Sequence, residues 1–248
     1  MTRFLIFILT FILSFSAFSK TLIAVTENWP PFEYRETVDG THTELGTDVE
    51  IVRKILKKLG YEVRIMWLPW SRCLKAVMSG WADMIFSASK TPERERYLFY
   101  PEEPLGYTTN VFFYRKGENI KFEKPEDLKG LRVAYIESYY YGEIFKTLPL
   151  IFLPVERTEI GFKLLLKKRV DLVIEDVNVG LSVARKLHIL DKIDYIKKPV
   201  WGPDPQYAAF VKKPGYDKLA KKFSEELKKL KRSKEYFDIL KKYGVIYF

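Results

Sequence analysis

Ser87, Ser89 and Arg94 lie close together in the chain, at and just beyond the end of a run that reads as a strand from Asp83 to Ser87. In open α/β sheets ligands gather beyond the carboxyl ends of strands, so this loop is placed to meet one. A guanidinium there can hold a carboxylate through two parallel charge-assisted hydrogen bonds, which a lysine cannot reproduce. Arg94 also stands among Glu93, Glu95 and Arg96, so an ordinary surface ion pair is the competing reading. A second pole comes from Asp171-Leu172-Val173-Ile174-Glu175-Asp176, a buried-strand pattern ending in adjacent carboxylates. Asp176 can face an ammonium group in a closing cleft, where both charges are desolvated only when paired. It can equally cap the helix expected over 177–187, and the two roles are compatible.

The elements that must position these groups follow from periodicity. Leu22-Ile23-Ala24-Val25 reads as a short buried strand, and Trp29-Pro30-Pro31-Phe32 breaks regular structure because proline lacks a donor. Thr47 and Glu50 have capping-box spacing, Val52, Ile55, Leu56 and Leu59 form one apolar stripe, and Gly60 stops the helix. A strand over Tyr61 to Trp67 follows, then a helix over Ser71 to Ser79 with Leu74, Val77 and Met78 inward and Gly80 at its end. This β-α-β-α-β order is the grammar of a parallel sheet.

From Val111 the pattern begins again, with strands at Val111 to Tyr114, Leu131 to Ile136 and Val170 to Ile174 and helices between them. Two similar α/β lobes are expected. The chain enters the second lobe near Tyr107 and returns along Tyr207 to Val211, and two crossovers make a hinge. The final helices, Asp217 to Arg232 and Ser233 to Tyr243, should cover the first lobe with Leu219, Phe223, Leu227 and Leu230, then Phe237 and Leu240.

Residues 1–19 are read apart from the fold. Arg3 precedes an apolar stretch from Phe4 to Leu13, and Ala17 and Ser19 suit a secretory cleavage site, so the mature chain is expected to start near Lys20 in the periplasm. That stretch falls short of the ~20 residues that span a bilayer. Later apolar runs are strand-sized. Cys73 is the only cysteine, which excludes an internal disulfide.

The chain carries a net charge of +10, and losing residues 1–19 removes one cation, Arg3, to leave +9. From Lys212 to Phe248 there are twelve Lys and Arg against five Asp and Glu, so most of the excess sits on the last helices. With no nucleic-acid recognition motif beside it, that run reads as a solvated helix face.

The ordered set Trp29-Pro30-Pro31-Phe32, Gly46-Thr47-Asp48, Gly80-Trp81-Ala82-Asp83, Thr91-Pro92-Glu93-Arg94 and Glu126-Asp127-Leu128-Lys129-Gly130 resembles the type II periplasmic solute-binding proteins, specifically the family serving polar amino acid ABC transporters. The resemblance runs from about Leu22 to Tyr243. It implies an α/β fold of two lobes, each a mixed, mainly parallel sheet flanked by helices, joined by a two-strand hinge. Lobe one would comprise residues 20–108 and 211–248, and lobe two residues 109–210. By the same resemblance Arg94 aligns with the residue that holds an amino acid's α-carboxylate, and Asp176 with the partner of its α-amino group. Trp29 and Trp70 align with positions whose rings sandwich the ligand side chain, although core packing is the alternative for both.

The chain departs from the family pattern in places that bear on the ligand. Thr26 stands where an Asp is common, and Thr47 where a Phe is. The segment from Asp83 to Arg94 is one residue short, which blurs the individual roles of Ser87 and Ser89. The small loop that presents backbone donors to the carboxylate is replaced by Glu137-Ser138-Tyr139-Tyr140-Tyr141, so Tyr139 narrows that side. With Arg72 near the cleft, a small acidic or aromatic ligand is expected as readily as a standard polar amino acid.

The expected protein is therefore a monomeric, cofactor-free binder that traps a small amino acid or related carboxylate and delivers it to a membrane permease. The alternatives are a secreted enzyme of the same fold, similar to cyclohexadienyl dehydratase, with Glu175 or Glu137 as general acid, or a periplasmic ligand-sensing partner. The sequence has no nucleophile elbow, Cys-His pair or phosphate-cradling glycine loop, and His42 and His188 lack metal-site spacing. A receptor's sensory domain would need a transmembrane helix and signalling region beyond Phe248, and the reading here is a free-standing chain.

Overall fold

The computed structural model describes residues 20–245, and the expected signal sequence lies outside them. In chain order the elements are β1 (Lys20–Thr26), β2 (Tyr34–Val38), β3 (Thr41–Leu45), α1 (Thr47–Lys58), β4 (Tyr61–Trp67), α2 (Trp70–Met78), β5 (Met84–Ser89), β6 (Leu98–Phe99) and β7 (Gly106–Arg115). They continue with β8 (Arg132–Tyr135), β9 (Ile151–Pro154), α3 (Thr158–Leu166), β10 (Leu172–Asp176), α4 (Val177–Lys186), β11 (Ile193–Tyr195), β12 (Trp201–Val211), α5 (Tyr216–Lys231) and α6 (Lys234–Tyr243).

The sheet runs β4-β1-β5-β12-β7-β10-β8-β9, with β6 beside β12 and β11 beside β7. β1 lies parallel to β4 and β5 on one wing, and β8 lies parallel to β9 and β10 on the other. β7 and β12 run antiparallel between the wings and pair with each other, Gly106 with Gln206 and Thr108 with Asp204. They are the two strands of the hinge, and both are longer than the alternating pattern suggested.

Successive strand residues face opposite sides of a sheet, and each wing uses both. In lobe one Leu22, Ala24, Phe86 and Phe210 pack against Leu56, Phe223 and Leu227, while Val25, Ile85 and Ala209 pack under Cys73 and Val77. In lobe two Phe113 and Val173 meet Phe162 and Val183, while Phe112, Leu172 and Ile174 meet Leu128 and Phe145. Both faces being covered explains why these strands read as continuous apolar runs.

Three local expectations are corrected. The Thr47–Glu50 capping box does not form: Gly46 is the N-cap of α1, with no side-chain cap bond. The first helical N–H groups are taken by backbone, Thr47 to the Pro31 carbonyl at 3.2 Å and Asp48 to that of Phe32 at 2.8 Å, which frees the Thr47 hydroxyl for Asp48. Gly46 is needed there, since at φ 122° an added Cβ would come within 2.1 Å of the Phe32 carbonyl oxygen. Met78 and Phe237 point outward, each 60% exposed, because the buried stripes run through Trp70, Cys73 and Val77 and through Tyr236, Ile239 and Leu240 instead. The hairpin β2–β3 carried no apolar alternation strong enough to predict.

Candidate ligand-binding site

Between the wings one cavity is lined by Glu27, Trp29, Glu33, Trp70, Ser87, Ser89, Arg94, Thr108, Asn110, Tyr139, Tyr140 and Gln206. Six of the residues anticipated from sequence meet there: Arg94, Trp29, Trp70, Ser87, Ser89 and Tyr139. Two do not. Arg72 is exposed and borders a separate outer groove with Arg35, Glu137 and Arg157. α2 turns it outward, opposite the Trp70, Cys73 and Val77 stripe that meets the core. Asp176 is fully buried behind the cavity wall, where it N-caps α4 by accepting from the backbone of Asn178 at 2.9 Å and Val179 at 3.2 Å, and also from Thr109 at 2.8 Å. Capping, not contact with the cavity, is what its position shows. Burial nonetheless raises its carboxyl to about 6.

Ser87 and Ser89 reach the cavity through an irregularity in β5. Tyr207 pairs with Ala88 but Ala209 pairs with Ile85, so β5 carries one extra residue at this point, and Ser87 adopts φ 58°. A bulge of this kind re-aims a side chain. The Ser87 hydroxyl accordingly lies 2.7 Å from both Glu33 Oε2 and Asp48 Oδ2. The Ser89 hydroxyl donates to Asp204 Oδ2 at 2.7 Å and accepts from Gln206 Nε2 at 3.0 Å. Gln206 Nε2 also lies 2.8 Å from Asp204 Oδ2 and 3.0 Å from the Thr108 hydroxyl, tying β5 to both hinge strands.

Arg94 opens a short 3-10 turn after this loop and is 7% exposed. Its Nη1 donates to the Ser89 carbonyl at 3.0 Å, and its guanidinium lies 5.6 Å from the Trp70 ring centre. Nη2 reaches the Ser138 carbonyl of the other lobe at 3.5 Å. Among the described residues no carboxylate comes within ion-pair distance of it, and it is the one Lys or Arg among the cavity's lining residues. A buried guanidinium held by carbonyls and in no close ion pair among the described residues is equipped to take an external anion.

Aromatic rings close the walls. The Tyr139 ring from lobe two stands edge-on to Trp29 at 6.2 Å and to Trp70 at 6.4 Å. The Trp29 indole N–H donates to Glu175 Oε1 at 3.2 Å, and the other Glu175 oxygen accepts from the Thr158 hydroxyl. Desolvation raises Glu175 to about 8 and is only partly offset by those donors. Glu27 receives the Tyr139 hydroxyl and the Trp70 backbone N–H, and desolvation raises it to about 7. Burial also pushes Glu33 well above the usual carboxylate range, helped by the neighbouring Asp48.

Sequence reasoning missed Glu27, Glu33, Thr108, Asn110, Tyr140 and Gln206. Glu27 follows the end of β1 as Arg94 follows β5, so the strand-end rule already applied to Arg94 would have found it. Thr108, Asn110 and Gln206 lie inside the hinge strands and gave no such signal.

The profile of the bacterial extracellular solute-binding proteins, family 3, matches residues 22–246. The chain belongs to that family. The probable amino-acid ABC transporter-binding protein of Haemophilus influenzae is 28% identical over 225 residues, 86% of this chain and 80% of that protein. The arginine-binding extracellular protein ArtP of Bacillus subtilis is 28% identical over 116 residues, 46% of this chain and 43% of ArtP, so the match spans less than half of that relative. Among solved structures, an ancestral arginine-binding protein bound to arginine superposes with a TM-score of 0.78 at 23% identity, covering 91% of this chain and 98% of the other. That likeness shows the fold, the two-lobe type II periplasmic binding architecture. This family 3 protein therefore has the solute-binding frame expected of it, and among its described residues no helix is long and apolar enough to cross a membrane.

Proposed function

We propose that this family 3 protein works outside the cytoplasmic membrane as a monomer, closes its lobes on an amino acid with a cationic side chain, and presents it to an ABC transporter permease. Residues 20–108 and 211–248 would move as one lobe against residues 109–210. The observation that carries the reading is the cavity's polarity: Arg94 is the single lining cation, while Glu27 and Glu33 line the same space. The guanidinium suits the α-carboxylate, and the two carboxyl groups suit a positive side chain. Trp29, Trp70 and Tyr139 add ring faces that attract cations. The arginine named in two of the similar proteins agrees with this choice. An acidic side chain would meet Glu27 and Glu33, and Arg72 is not there to balance it.

Catalysis gains no comparable support. Glu175 is 1% exposed behind Trp29 and Glu137 is exposed outside the cavity, so neither lines the space where a substrate would react.

Thermal unfolding of the mature protein with L-arginine, L-lysine, L-glutamine, L-glutamate or prephenate tests the reading. A ligand at 100 times its Kd adds about 2.7 kcal/mol of stability, a rise of roughly 5–10 °C for a chain of this length. The rise is expected with L-arginine or L-lysine. A rise with L-glutamate alone, or turnover of prephenate, would overturn it.

A further inference from the structure

The Ser87 hydroxyl oxygen sits 2.7 Å from a Glu33 oxygen and 2.7 Å from an Asp48 oxygen. A hydroxyl owns one hydrogen, so it can donate to one of the two. The second contact is a hydrogen bond only if that carboxyl brings its own proton; otherwise lone pairs face each other in a buried site. The outer oxygens supply none, since Glu33 Oε1 already accepts from the Thr26 hydroxyl at 3.1 Å and Asp48 Oδ1 from the Thr47 hydroxyl at 3.0 Å. Four contacts are served by three hydroxyl hydrogens, and one further proton completes the cluster.

The surroundings say which carboxyl carries it. Asp48 lies in the first turn of α1, where the helix N-terminus favours a negative charge, and Lys231 acts on it from α5. Glu33 has Asp48 on one side and Glu27, just past β1, on the other. Ser87 faces it from β5, and Arg94 lines the same cavity from the turn that follows. Burial raises both carboxyls, and the neighbouring Asp48 raises Glu33 as well, in keeping with a proton on Glu33.

We infer that Glu33 is held as a neutral carboxylic acid by Ser87 and Asp48 and gives up its proton when a cationic group enters the cavity, which makes it the residue that selects cationic over neutral side chains. A positive charge near a carboxyl favours its ionised form. The proton leaves to solvent as the ligand's charge arrives, so the cavity's net charge is unchanged; Ser87 then donates to one of the two carboxylates, and the ligand's cation offsets the charge that Glu33 has gained. A neutral side chain has nothing to displace the proton with. The selection step rests on the amino-acid reading above, whereas the protonated Glu33 stands on the geometry of the cluster.

Two measurements on the mature protein separate these. In infrared spectra near pH 7, subtracting Glu33→Gln from the wild type should leave a carboxylic-acid carbonyl band. Asp48→Asn should remove that band too, because its amide can donate to Ser87 and release the hydroxyl hydrogen to an ionised Glu33. No band in the difference spectrum overturns the inference for a variant whose circular dichroism matches the wild type. Calorimetric titration with L-arginine near pH 6, in buffers of low and high ionisation enthalpy, should show proton release that Glu33→Gln lowers by up to one per ligand, any release from Glu27 remaining in both. L-Arginine binding with the same proton release in the wild type and in Glu33→Gln overturns the selection step. If L-arginine does not bind, the amino-acid reading and the selection step fall together, while the infrared band still decides the state of Glu33.

Discussion

The indole nitrogen of Trp29 donates to Glu175 Oε1 across 3.2 Å, joining residues 146 positions apart on opposite lobes. Because Glu175 is raised to about 8 by burial, the bond at neutral pH is one to a mostly neutral carboxyl, worth roughly 0.5–1.5 kcal/mol. It exists only with the lobes together. Trp29→Phe keeps the ring and removes the donor, so ligand affinity should fall about two- to tenfold, since 1.4 kcal/mol is roughly tenfold. Calorimetric titration at pH 7 reads this directly, and unchanged affinity would mean that the bond does not hold the closed form.

Arg94→Ala should lower affinity for an amino acid by about a hundredfold or more, as a charge-assisted pair to a carboxylate and the desolvated carboxylate's partner are both lost. Folding should change little, because Arg94's hydrogen bonds are to carbonyls that solvent can satisfy. Comparing the ligand Kd with the urea midpoint tests both parts. A collapsed midpoint would make Arg94 a structural residue.

Asp176→Ala should cost about 1–2 kcal/mol of stability, the usual range for a lost N-cap, and Thr109 would also lose its acceptor. If capping is its main work, amine-bearing ligands and simple carboxylic acids should lose affinity alike. A loss confined to ligands with an α-amino group, at unaltered unfolding midpoint, would give Asp176 a direct part in recognition.

Stability should fall as pH rises from about 5 to 8, above the range in which the depressed carboxyls of Glu50, Asp83 and Asp171 add to stability with rising pH. Glu27 and Glu175 are raised from 4.5 to about 7 and about 8, and Asp48 and Asp176 from 3.8 to about 6. A carboxyl whose folded pKa lies above its unfolded value binds more protons when folded, so its contribution is complete below the unfolded pKa and is lost through the folded one. Melting temperatures across this range should decline, and Glu175→Gln should flatten the upper part of the slope. A profile that rises to pH 8 would contradict the burial of these groups.

Most of the frame was legible because both lobes repeat strand and helix signals at short range. The Val52, Ile55 and Leu56 stripe and the Leu219, Phe223 and Leu227 stripe both pack as their spacing requires. Met78 and Phe237 were misplaced because a single extra apolar residue beside a stripe does not reveal the helix phase. In the site, Arg94 was legible from its strand end. The Ser87 bulge was not, since an αL serine leaves no mark in composition, and the pairing of Glu33 with Asp48 depends on the segment before β2 meeting the first turn of α1 only in three dimensions.

Thr108 and Gln206, whose side chains bond each other inside the cavity wall, belong to the same two strands that carry the chain between lobes. Recognition and mechanics therefore share their parts. A solute lodged in this cavity would touch the joint directly, so no relay to a distant hinge is required. A corollary is that specificity and opening rate cannot be engineered apart at these positions: a side chain chosen to fit a different solute also resets how far, and how readily, the jaws swing.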